Sequence, residues 1–88
     1  MVEIKGVRLS LRIGKHDRDI RLSQSMKFLE EGNKVRVELM LKGRERQYTP
    51  QGRQIIEEFV KDLGENVKIE QPLINQEGKL NTIIFLQK

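Results

Sequence analysis

The sequence predicts an α+β domain: a two-layer sandwich in which a four-stranded mixed sheet carries two helices on one face, in the order β-α-β-α-β-β. Three observations predict it. Two stretches, Val7-Leu9-Leu11-Ile13 and Val35-Val37-Leu39-Leu41, alternate apolar and polar side chains with the period of a strand. Each is followed by a segment with apolar residues at helical spacing that ends at a glycine, Gly32 or Gly64. The remainder holds two further apolar runs around the turn-forming stretch Asn75-Gln76-Glu77-Gly78, with no helical pattern between them. Helices with one apolar stripe apiece can both be covered by one sheet.

In the first strand Val7, Leu9, Leu11 and Ile13 alternate with Arg8, Ser10 and Arg12. Val2 and Ile4 extend it upstream, with Gly6 as a bend or bulge. Gly14-Lys15-His16 makes a short loop. Asp17 and Asp19 stand where carboxylates cap and complement the positive end of a helix. The first helix is therefore expected from Arg18 to Glu31, with Ile20, Leu22, Met26 and Leu29 as its stripe and Phe28 alongside. In the second strand Val35, Val37, Leu39 and Leu41 face one way, and Lys34, Arg36, Glu38, Met40 and Lys42 the other. The stretch from Lys42 to Tyr48 reads as a polar, basic loop. Thr49 followed by Pro50 starts the second helix as a cap with proline at the first helical position. Ile55, Ile56, Phe59, Val60 and Leu63 supply its buried stripe. Val67 and Ile69 mark a third strand stopped by Pro72, and Lys79 to Gln87 is the fourth.

With 88 residues there is room for a single domain, residues 1–88. A domain of this size buries roughly 60–65% of its unfolded surface, so most apolar residues, Phe28, Phe59 and Met26 among them, are needed for the core. Hydrophobic residues at 36% and charged residues at 34% suit a globule with a solvated surface. The absence of an apolar run near 18 residues argues against a membrane-spanning helix, and no secretory signal is visible. Without cysteine there are no disulfides, thiolate nucleophiles or thiolate metal sites. The single histidine, His16, cannot build a multi-histidine metal centre. The expectation is a cytoplasmic monomer with no cofactor, no metal, no membrane contact and no small-molecule substrate.

The charge is unevenly placed. Residues 1–46 hold 12 Lys or Arg against 7 Asp or Glu, a net of +5, and residues 47–88 hold 5 against 6, a net of −1. A one-sided field of this kind suits a polyanion. Arg8, Arg12, Arg36 and Lys42 lie on strand faces opposite the apolar alternation. Lys15, Arg18 and Arg21 cluster around the first helix start, and Arg44, Arg46 and Arg53 around the second. Arginine grips phosphate oxygens bidentately, and a helix N-terminus adds its own attraction for phosphate. Of four aromatic residues only Tyr48 reads as exposed, so base stacking on the sheet lacks a platform and contact with phosphates and sugars of folded RNA is expected. A protein-interaction module using the exposed sheet face or an edge strand is the alternative.

Catalysis has little material. His16-Asp17 is the one pair resembling a base with an orienting carboxylate, and a helix cap explains Asp17 as well. Glu30-Glu31 and Glu57-Glu58 read as solvated surface. No phosphate-binding glycine loop is present, since Lys42-Gly43-Arg44 is too short. The chain is not expected to be an enzyme.

Arg12, His16-Asp17, the run Lys27-Phe28-Leu29-Glu30-Glu31-Gly32-Asn33-Lys34-Val35, and Lys42-Gly43-Arg44-Glu45 resemble the C-terminal domain of bacterial translation initiation factor three. Glu70-Gln71-Pro72 and Glu77-Gly78-Lys79 are similar to its later landmarks. The resemblance covers nearly the whole chain, and the family's element order is the one read above. It implies binding to the platform of the small ribosomal subunit through ribosomal RNA, obstruction of large-subunit joining, and help in selecting the initiator tRNA and start codon. Carried over by position, it implies RNA contacts from Arg12, Arg21, Lys27, Lys42, Arg44 and Lys79. Together with the pattern reading, the expected RNA-binding set is Arg12, Lys15, Arg18, Arg21, Lys27, Lys42, Arg44, Arg46, Arg53 and Lys79. The sequence departs from the family at Ser23, Met40 and Glu58, which stand where basic residues are frequent, and at Lys42 and Lys79, which stand where arginine is frequent.

Overall fold

Strict alternation gives a strand one apolar face, and such a face is stable only when something covers it. A computed structural model of the chain, describing residues 2–87, shows what covers it here. The elements are β1 (Ile4–Leu9), α1 (Lys15–Glu30), β2 (Lys34–Met40), a 3-10 helix (Gly43–Tyr48) running into α2 (Thr49–Asp62), β3 (Val67–Gln76) and β4 (Lys79–Leu86). The sheet order is β1-β2-β4-β3, with β1 and β2 parallel and the other neighbours antiparallel. The four-stranded mixed sheet and the two helices are those the sequence predicts.

The register puts Val7 beside Val37, Leu39 beside Leu80 and Val35 beside Ile84, so one sheet face is apolar but for the buried Thr82 beside Val37, whose hydroxyl donates to the Gln71 carbonyl at 2.6 Å. Leu29 of α1 and Ile56 and Phe59 of α2 close over this face, and all three are buried in one cluster with the strand residues. Each such side chain contributes about 1.5–3 kcal/mol by leaving water. The opposite sheet face, with Arg8, Arg36, Glu38 and Lys79, is open.

α1, β2 and β4 end within one or two residues of the sequence reading, at Glu30, Met40 and Leu86, and the larger differences each have a physical reason. β1 ends at Leu9 because its last rung is Leu9 with Leu39 and the chain turns away from β2 after it. Leu11 and Ile13 instead fold inward from a turn closed by the Ile13 N–H on the Ser10 carbonyl at 3.3 Å, which is why they keep the apolar alternation without being strand. α1 begins at Lys15, not Arg18. Gly14 occupies the cap position with extended backbone, so Asp17 complements the first turn rather than capping it. Along α1, Ile20 is exposed rather than part of the stripe, and the fully buried Ser25 lies on the covered face with Leu22, Met26 and Leu29.

The loop from Lys42 to Tyr48 is mostly 3-10 helix, and it merges with α2. Thr49 is therefore no cap; its Oγ1 donates to the Arg46 carbonyl at 2.7 Å, while proline does sit in the first turn. β3 runs through Pro72 instead of stopping there. It is an edge strand, so the missing N–H is tolerated, and the register shifts between Ile69, Gln71 and Ile74 absorb the distortion.

Candidate nucleic-acid interface

Because β1 and β2 are parallel and finish within one residue of each other, β1 at the Leu9–Leu39 rung and β2 at Met40, the loops that leave them emerge at one end of the sheet. β4 starts there too, since Met40 pairs with Lys79. The β3–β4 turn is held against the chain just after β2. The Leu41 N–H donates to the Gly78 carbonyl at 2.7 Å, and an added Cβ on Gly78 (φ +85°) would lie 2.8 Å from the Leu41 oxygen. Only glycine permits that approach. Arg46 reaches over the same turn and donates from Nη2 to the Glu77 carbonyl at 3.2 Å. The start of the 3-10 helix is fixed by the Glu45 carboxylate, which accepts the Lys42 N–H at 3.0 Å. These contacts clasp the 3-10 helix to the hairpin and bring Lys42, Arg44, Arg46 and Lys79 to one end of the molecule.

The turn after β1 completes this surface. With Leu11 and Ile13 turned inward, Arg12 is left exposed. It borders two adjoining depressions, one of about 290 Å³ shared with Arg8, Ser10, Asp17 and Arg21, the other of about 250 Å³ shared with Tyr48 and Gln51. Arg12 thus links the first turns of α1 with the junction of the 3-10 helix and α2. Lys15, the first residue of α1, and Arg53, in the second turn of α2, are exposed at the starts of the two helices.

The ten expected cations are not all alike. Arg12, Lys15, Arg21, Lys42, Arg44, Arg46, Arg53 and Lys79 belong to this end. None of them forms an ion pair with a carboxylate among the described residues. Arg18 is paired with Asp62 in the last turn of α2, with its guanidinium 6.0 Å from the centre of the Phe59 ring, and so ties the two helices together. Lys27 is in the last turn of α1, twelve residues after Lys15 and roughly 18 Å along the helix from it. Arg8 and Arg36 lie on the open sheet face as expected, whereas Arg12 and Lys42 lie beyond the strand ends.

Two participants were not in the expected set. Arg8 joins Arg12 and Arg21 around one depression, and the β1 alternation already showed which face it takes. The Glu77-Gly78 turn acts as the clasp; the sequence marks it as a turn through Asn75 and Gly78 but gives no sign of its contact with Leu41 and Arg46.

At the opposite end of β1, the Glu3 carboxyl is held below its ordinary value by the hydrogen bond and charge of Lys5, and Lys5 is raised in return. His16 and Asp17 are exposed, and no hydrogen bond joins their side chains. Among the described residues, no group of three or more His, Cys, Asp or Glu could hold a metal ion, and no helix is long and apolar enough to cross a membrane.

The sequence model of the family described as "Translation initiation factor IF-3, C-terminal domain" matches residues 2–88. The chain is 38% identical over 84 residues to "Translation initiation factor IF-3" of Synechococcus sp. (strain WH7803), covering 96% of this chain and 37% of that protein. It is 37% identical over 86 residues to the protein of the same name from Aquifex aeolicus (97% and 47%). A chloroplastic relative, "Translation initiation factor IF-3, chloroplastic" of Cyanidioschyzon merolae, is 37% identical over 86 residues (98% and 49%). The chain thus spans less than half the length of each of these relatives.

Proposed function

The chain belongs to the family of translation initiation factor IF-3 C-terminal domains, and from that membership we propose that it binds the small ribosomal subunit through ribosomal RNA, obstructs joining of the large subunit and so aids the fidelity of initiation. The observation that carries this reading is the convergence of cations, without carboxylate partners among the described residues, at the end of the sheet where β1 and β2 finish. Arg12, Arg21, Lys42, Arg44 and Lys79 are the central contacts, with Lys15, Arg46 and Arg53 around them. Arg18 contributes by fixing α1 on α2, and Lys27 provides a separate point of contact at the far end of α1. Arginine and lysine at these places neutralise phosphates and release counterions, which gives affinity without base sequence.

Residues 1–88 act as one ribosome-binding unit and as a monomer, in whichever compartment holds the ribosomes. The function is occupancy, not catalysis. It is tested by co-sedimentation with isolated small subunits, before and after adding large subunits. The chain is expected to pellet with small subunits and to lower the yield of joined ribosomes. Failure to pellet, or joining at the full yield with the chain bound, contradicts the reading.

A further inference from the structure

The open face of the sheet carries a second concentration of polar groups, which, Lys79 apart, the phosphate-binding end does not use. The register sets them in rows across β2, β4 and β3: Arg36 with Ile83 and Gln71, Glu38 with Asn81 and Ile74, and Met40 with Lys79 and Gln76. Arg36, Glu38, Gln71, Ile74, Lys79 and Asn81 line a depression of about 320 Å³, within the range that holds small organic groups. Gln71 Nε2 donates to Asn81 Oδ1 at 2.9 Å, which fixes both amides and leaves the Asn81 NH2 and the Gln71 Oε1 for a ligand. Arg36 and Glu38 are half-buried, yet neither they nor Lys79 form an ion pair among the described residues. Partly desolvated charges without partners are costly unless something bound supplies them.

We infer that this depression receives an unpaired guanine base of the RNA whose phosphates lie on the cationic end, an inference that rests on the proposed function. Guanine presents two kinds of group together: N1–H and N2–H2 donate, while O6 and N7 accept. A carboxylate satisfies the first, and an arginine or lysine the second. Glu38 and Arg36 or Lys79 supply that combination within one depression. Adenine and cytosine can donate to the carboxylate but lack the O6 acceptor, and uracil has no exocyclic amine. Ile74 gives the base an apolar neighbour. Recognition runs through base edges, as it does for splayed-out single-stranded nucleotides, and needs no aromatic stack. Continuity selects RNA as the occupant. Lys79 lines the depression and also belongs to the strand start clasped to the 3-10 helix, so a base here and its phosphates at the cationic end are neighbours.

The test titrates the chain with hexauridylate and with the same oligomer carrying one central guanosine or one central adenosine, followed by fluorescence anisotropy at fixed salt. The guanosine oligomer is expected to bind at least about five-fold more tightly than the other two. Glu38→Gln and Asn81→Ala should bring that ratio to about one while leaving the affinity for hexauridylate and the thermal midpoint in place. The side-chain amide resonances of Asn81 and Gln71 should shift with the guanosine oligomer and not with hexauridylate. Equal binding of all three oligomers, which a protein-docking face would also give, overturns the inference, as does a guanosine preference that survives Glu38→Gln. Small-subunit co-sedimentation separates the two levels. If subunits still bind but no oligomer is distinguished, the guanine site falls and the phosphate-binding reading stands. If subunits do not bind either, both fall.

Discussion

Where β1 and β2 begin, lysines meet carboxylates: Lys5 binds Glu3 at 2.7 Å, and Lys34 binds Glu70 at 2.6 Å. Where the same strands finish, Arg12, Lys42, Arg44 and Lys79 have no such partner among the described residues. A paired lysine is neutralised locally and contributes little to the field around it. Unpaired cations brought to one end of a domain add their potentials over a Debye length of about 8 Å at physiological salt. The difference teaches that the cationic end, the one proposed to bind RNA, is made by pairing and topology more than by the number of basic residues. Lys5 and Lys34 fall in the same basic half of the sequence as Arg12 and Arg44, yet the fold spends their charge within the domain.

The largest expected effect serves as a control that breaks both ends together. Phe59 is fully buried between α2 and the sheet, so Phe59→Ala should cost about 3–5 kcal/mol in denaturant unfolding and abolish binding through loss of the fold. Next comes a change that loosens the cationic end alone. Gly78→Ala puts a side chain at φ +85° against the Leu41 carbonyl. It should cost about 1–3 kcal/mol and weaken RNA binding beyond what the stability loss explains, measured on protein that remains folded. Native stability with undiminished binding would show that the clasp between hairpin and 3-10 helix does not position the cations. The smallest effect belongs to the paired end. Lys34→Gln breaks the bridge to Glu70 and should change stability by less than about 1 kcal/mol, with subunit binding intact. A large loss of binding there would erase the contrast between the ends.

Much of the fold was legible because burial writes itself into periodicity. Val35, Val37 and Leu39 alternate because β2 is flanked by β1 and β4 and covered on one face only. Periodicity fails where the chain folds inward without hydrogen-bonded neighbours, as at Leu11 and Ile13, and where an edge position tolerates what a central strand forbids, as at Pro72. The cations themselves could be read from the sequence; their pairing could not. Nothing local distinguishes Arg18, bound to Asp62 forty-four residues away, from Arg21, which carries no such partner among the described residues. The clasp at Gly78 likewise depends on a contact with Leu41, which no sequence window joins to it.

The most direct test is the salt dependence of binding to the small subunit, measured for the parent chain and for Arg44→Gln. With about five phosphate contacts, log affinity should fall against log salt with a slope of roughly −3.5 to −4.5, and Arg44→Gln should make it shallower by about 0.7–0.9. A slope near zero, or one that Arg44→Gln leaves unchanged, would contradict the claim that unpaired cations at this end of the sheet hold the RNA backbone.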